Sequence, residues 1–141
     1  MQVSAKGRSG LRVMMELARH PGQGPVMVDV IAQNQELSAK YIHVLIGGLK
    51  TAGLVRAVRG PSGGYALAKE PTRITLLDIV LALEGELFAP SPDSATIHGV
   101  PSAAEEVWAQ LGQVVSEVLA RRTLKELVDR QVALGGATYC I

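Results

Sequence analysis

Cysteine is almost missing from this sequence: one residue in 141, Cys140, beside the last position. That excludes an intrachain disulfide, and with it the small secreted scaffolds that depend on such bridges. Aromatic residues make up only 4% of the chain, so a core drawn from its 48% apolar residues must be mostly aliphatic. No uninterrupted apolar run reaches the length of a signal peptide or a membrane span, and Arg12 and Glu16 interrupt the best candidate. Also lacking are paired carboxylates in a cleft-like context, a nucleophile beside a base, and ligands at metal-binding spacing. These absences predict a soluble, cytoplasmic protein that is not an enzyme, built as one domain with an appended element.

Charge is present but unevenly divided. The formal net charge is +1, yet residues 1–73 hold ten Lys and Arg against four acids, a net of +6. Residues 74–141 hold four against nine, a net of −5. Such polarity predicts that one half meets a polyanion while the other has a different task.

Residues 37–67 read LSAKYIHVLIGGLKTAGLVRAVRGPSGGYAL, and the rest of the chain is arranged around them. Ser38 can cap a helix by accepting a hydrogen bond from a first-turn N–H. Ile42, Leu45, Ile46 and Leu49 then form one apolar stripe, with Lys40, His43, Gly47 and Lys50 opposite. Gly53 suits the position just past a helix end, where the backbone turns left-handed. Leu54–Val58 and Tyr65–Ala68 read as strands around a Gly60-Pro61-Ser62-Gly63-Gly64 turn. The adjacent Gly47 and Gly48 cost the helix about 1–2 kcal/mol relative to alanines, either to permit a close approach or simply as tolerated residues.

Two helices are expected upstream. Ser4–Arg19 carries Leu11, Met14, Met15 and Ala18 on one face and is ended by His20-Pro21-Gly22. Val28–Gln35 follows, with Val30 and Ile31 pointing inward. Two helices joined by a short turn, the second with a basic outer face and a hairpin after it, make a winged helix-turn-helix. The fold class is thus mainly α with a small β-hairpin wing.

Downstream, Thr75 and Asp78 form a capping pair, and Leu76, Ile79, Val80 and Leu83 form a stripe that Gly85 ends. Residues 86–101 contain three prolines and no periodicity, long for a connection inside a compact domain. Ser102 with Glu105 predicts a capping box, and Val107, Leu111, Val114, Val115 and Val118 a stripe reaching about Arg121. Thr123 with Glu126 opens a last short helix to about Arg130. The long helix either packs its stripe against a second copy in a two-fold dimer or folds back on its own domain.

In such a layout the first turns of the second helix reach base edges, which points to Ala39, Lys40, Tyr41 and His43, with Ser38 available to phosphate. Tyr41 can face the groove or pack beneath the helix. Arg56 and Arg59 flank the hairpin with Ser62 in its turn, and an arginine at a wing tip suits a narrow A·T-rich minor groove. GPSGGY is no phosphate-binding loop, because it joins two strands and lacks the Lys-Ser/Thr ending. The alternative is a winged-helix module that binds proteins and not DNA.

Three stretches, SAKGRSGLRVMMELA, LSAKYIHVLIGGLKTAGLV and VRGPSGGYALAKEPTRITLLDIVLALEG, resemble the Rrf-two family of bacterial transcriptional regulators. That family includes the iron–sulfur cluster regulator, the nitric-oxide-sensing repressor and the repressor of cysteine metabolism. The resemblance implies a homodimer, a winged helix-turn-helix over 1–85, a sensor loop over 86–101, dimerisation helices over 102–130 and a tail over 131–141. It implies repression or activation from palindromic double-stranded DNA operators. By matching position, Lys6 and Arg8 would serve phosphate, Ser38 to His43 the major groove, and Arg59 the wing contact. One departure matters. Cluster-binding relatives carry three cysteines in the loop and some an acidic ligand in the first helix; here the loop has none and Arg8 holds the other place. Thiolates secure such clusters, so no iron–sulfur cofactor and no metal site is expected. Cys140 and His98 are the conceivable ligands left, and any effector, small molecule or protein, is unspecified.

Overall fold

The computed structural model describes residues 3–19, 24–89 and 96–135. The expected stop at His20-Pro21-Gly22 and the thiol of Cys140 lie outside the described residues. Helices α1 (Ala5–Ala18), α2 (Val28–Gln35) and α3 (Ala39–Thr51) come first, then strands β1 (Val55–Val58) and β2 (Gly64–Leu67). A 3-10 turn (Pro71–Arg73) leads into α4 (Leu76–Glu84), a short hairpin of β3 (Thr96–Ile97) and β4 (Val100–Pro101), α5 (Ala103–Ala120) and α6 (Leu124–Gly135). None of the described helices is long and apolar enough to cross a membrane.

The core is aliphatic. Val13 and Met14 of α1, Ile31 of α2, Ile42, Leu45 and Leu49 of α3, Ile74, Ile79 and Leu124 are fully or almost fully buried together. Each such side chain contributes about 1.5–3 kcal/mol over remaining exposed. The α3 stripe buries all four of its predicted members. Its end is a complete Schellman turn: Leu54 N–H donates to Leu49 O and Gly53 N–H to Lys50 O, with Gly53 at φ +77°. Gly48 has a reason in packing, since a Cβ there would come within 3.3 Å of Ala82 O on α4, whereas Gly47 faces open space.

Thr75 and Asp78 form the full capping box at the start of α4. Beside it, Leu124 N–H donates to Ile74 O and Leu76 N–H to Arg122 O, lashing the start of α6 to the start of α4. Leu124 and Val128 consequently sit in the winged-domain core, so α6 does not pack as a partner of α5 alone.

Five expectations need correction. Val30 is exposed, because neighbouring residues on a helix differ by about 100° and α2 turns Ile31 and Gln35 inward instead. Ser102 stands at the N-cap of α5 and is buried, but makes no side-chain cap bond, so no capping box forms there. The loop 86–101 contains the β3–β4 hairpin, made possible by left-handed backbone at both His98 and Gly99. Helix α6 runs to Gly135, five residues into the stretch expected to be tail. At Thr123 only half of the expected box is seen: Glu126 N–H donates to Thr123 Oγ1 at 3.2 Å, while the Glu126 carboxylate lies 4.0 Å from Arg122.

Candidate nucleic-acid interface

The α2–α3 unit is held to α1 by a polar cluster as well as by the shared aliphatic core. Glu16 of α1 is fully buried and accepts from Asn34 Nδ2 at 2.6 Å, Gln35 Nε2 at 3.2 Å and Arg19 at 3.1 Å. Arg12 donates from Nε to Gln35 Oε1 and from Nη2 to Gln35 O. A buried carboxylate persists only when its lone pairs are met by charge and hydrogen bonds, as they are here. The arrangement fixes the last turn of α2 and therefore the point at which α3 begins. Glu36, in left-handed backbone at φ 54°, makes the corner.

Ser38 caps α3, its Oγ accepting from Tyr41 N–H at 3.1 Å; its own hydroxyl proton is still available to a phosphate oxygen. Lys40 and His43 are exposed on the outer face, and Ala39 is half-buried at the first helical position. Tyr41 packs against the core beneath the helix, which decides between its two readings.

The wing is a two-stranded antiparallel ladder, Val55 opposite Leu67 through Val58 opposite Gly64. A third element joins it: Val26 N–H donates to Tyr65 O at 2.8 Å and Tyr65 N–H to Val26 O at 2.9 Å. That approach demands glycine beside it, because a Cβ on Gly64 would stand 2.1 Å from Val26 O. The Tyr65 ring reaches α3 as well. Its hydroxyl lies 3.1 Å from His43 Nδ1, and the two rings meet edge to face with centroids 6.0 Å apart. Tyr65 thus ties the wing both to the segment before α2 and to the outer face of α3. Nothing in the sequence singles it out, since its partners are 22 and 39 residues away.

Arg59 and Ser62 are exposed in the hairpin turn, beyond the last ladder pair. Arg56 sits lower, opposite Ala66, and lines an open cleft with Lys69 and Arg73. Lys6 and Arg8 are exposed in the first turn of α1, where Arg8 Nε donates to Val3 O at 3.3 Å. Hence Lys40, His43 and the wing share one rigid frame, while Lys6 and Arg8 stand on a different helix.

Helix α5 differs from all of this. Val107, Leu111, Val114 and Val118 repeat at helical spacing, and each is 39–56% exposed. Val115 is half-buried, and Trp108 is exposed.

A family model described as "Rrf2: Iron-dependent Transcriptional regulator" matches residues 3–130. The chain is 41% identical over 129 residues to the HTH-type transcriptional regulator CymR of Bacillus subtilis (strain 168), covering 92% of this chain and 91% of that protein. In three dimensions it is similar to the solved structure of CymR, the global cysteine regulator of B. subtilis, with a TM-score of 0.77, 38% identity, and 92% and 98% of the two chains covered. It is equally similar to IscR of T. potens, at a TM-score of 0.77 and 38% identity over 96% and 91% of the two chains.

Proposed function

The chain belongs to the Rrf2 family of DNA-binding transcriptional regulators, and from that premise we propose that it acts as a cytoplasmic homodimer on inverted-repeat operators. The observation that carries the dimer is the exposed seam on α5. A row of four large aliphatic residues left open to water is costly unless a second surface covers it, and a two-fold axis lets the row cover itself. Two α3 helices then enter successive major-groove segments about 34–36 Å apart. Ser38, Lys40 and His43 face the bases and nearby phosphates. Arg59 follows the wing into the minor groove, and Lys6, Arg8, Arg56 and Ser62 add contacts to the backbone.

Iron–sulfur chemistry does not fit these residues. Clusters are held by thiolates, and the chain has a single cysteine at position 140, far in sequence from the loop. Among the described residues, no three His, Cys, Asp or Glu side chains are grouped to hold a metal. The proposed regulator works without a cluster, and a small molecule or partner protein supplies any signal.

Light scattering on the eluting protein tests the assembly, with twice the chain mass of 14.9 kDa expected. Gel shifts against its own promoter region test the docking. Retardation should fade steeply as salt rises, because each neutralised phosphate releases counterions. A monomer that shifts no duplex at low salt would overturn the proposal. Anaerobically purified protein should be colourless; a broad visible band would reinstate a cluster.

A further inference from the structure

We infer that Val44 is a base-reading residue, which recognises the 5-methyl group of a thymine in each operator half-site. The inference rests on α3 being the groove-facing helix. Val44 lies four residues after Lys40, roughly 40° around the helix from it at 100° per residue. It is 54% exposed, on the side opposite the buried Ile42, Leu45, Ile46 and Leu49. Among the described residues, Val44 is neither in the aliphatic core nor packed against it.

Its surroundings sharpen the chemistry. The outer face carries Ser38, Lys40, His43 and Lys50, and Val44 is the large aliphatic side chain exposed among them. Gly47, three residues beyond Val44, has nothing within 4 Å of where a Cβ would be. Thr51 turns its hydroxyl back to Gly47 O at 2.9 Å, so that donor is spent inside the helix. Val44 and the bare Gly47 backbone therefore make a small, shallow apolar spot on this face, with exposed Lys40, His43 and Lys50 around it. In the major groove the one apolar feature a base pair shows is the thymine methyl. A β-branched side chain holds its methyls close to the backbone, so its contact needs close approach, and the missing side chain at position 47 allows it. Lys40 meanwhile can donate to an adjacent purine N7 or guanine O6.

The test needs no prior operator. A duplex is selected from a randomised library with the full-length protein, and each thymine in it is replaced singly by deoxyuridine, which removes only the methyl. Wild-type protein should lose about fourfold in affinity at one thymine per half-site, the value of one methyl withdrawn from water. Val44→Ala should bind the unmodified duplex about as weakly as wild type binds the uracil version, and should be indifferent to that replacement. Val44→Thr, which keeps one methyl, should retain part of the discrimination. An uracil penalty of the same size in Val44→Ala, or none at any thymine with wild type, would overturn the inference while leaving DNA binding intact. If wild type retains no duplex at all, the docking of α3 fails and Val44 with it.

Discussion

The two ends of this molecule solve opposite problems. The winged domain closes on itself: α1, α2, α3, α4 and the first turns of α6 bury a shared aliphatic core, and the wing is pinned by Tyr65. Among the described residues, none of the 18 in helix α5 is fully buried. One region is closed by its own sequence; the other leaves an apolar seam open, which the proposed second copy would cover. Basic groups collect on the first and an apolar seam on the second. Salt should therefore weaken the interface to DNA, whereas dilution should weaken the seam.

The sharpest way to break this contrast is to charge the seam. Leu111→Glu combined with Val114→Glu places like charges across a two-fold interface and leaves the winged core untouched. Light scattering should report a monomer with its helical circular dichroism retained. Operator affinity should fall by about 10²–10⁴-fold, the advantage of engaging two half-sites together. A variant that stays dimeric and binds as before would mean that α5 is covered in some other way.

The converse change strikes the closed region. Glu16→Ala leaves the Arg12, Arg19, Asn34 and Gln35 cluster without its central carboxylate. Removing one member of a buried charged set costs about 3–5 kcal/mol. Urea unfolding should show that loss, with the dimer mass preserved at native conditions. A loss below about 1 kcal/mol would show that α2 is held mainly by apolar packing.

These two regions were not equally legible in the sequence. The α3 stripe, the Gly53 turn and the Thr75–Asp78 box are local patterns, with cause and effect within eight residues, and each formed as expected. The HTH layout followed from them. Features set by distant chain segments were hidden. Nothing local tells that Gly48 meets Ala82, that Gly64 meets Val26, or that Glu16 meets Gln35. Val30 and Ile31 look alike in a sequence, and only the docking of α2 on α1 chooses between them. Ser102 had the right chemistry for a cap, but it is buried and makes no cap bond. At the candidate interface, Lys40 and His43 were visible as the polar side of a stripe; the inward turn of Tyr41 and the bridging role of Tyr65 required coordinates.

Smaller effects separate contacts within the DNA-facing region. Lys40→Ala and Arg59→Ala should each weaken operator binding by about tenfold, within the 1–3 kcal/mol typical of such contacts. Titrations at several salt concentrations distinguish them. Loss of a phosphate contact lowers the salt slope by about one, whereas loss of a base contact changes the preference for sequence. Unchanged affinity in both variants would move the docking face away from α3 and the wing.

The finest test concerns the link that makes α3 and the wing one frame. Tyr65→Phe removes only a hydroxyl, so the backbone bridge to Val26 and the packing of the ring survive. A single partly exposed hydrogen bond is worth about 0.5–1.5 kcal/mol, and its loss should leave thermal stability within a few degrees of wild type. If the contact serves to orient His43, operator affinity should drop by about fivefold, and His43→Ala should cost less in the Tyr65→Phe background than alone. Additive losses in that double-mutant cycle would show that wing and helix bind their grooves independently, joined by chain but not by this contact.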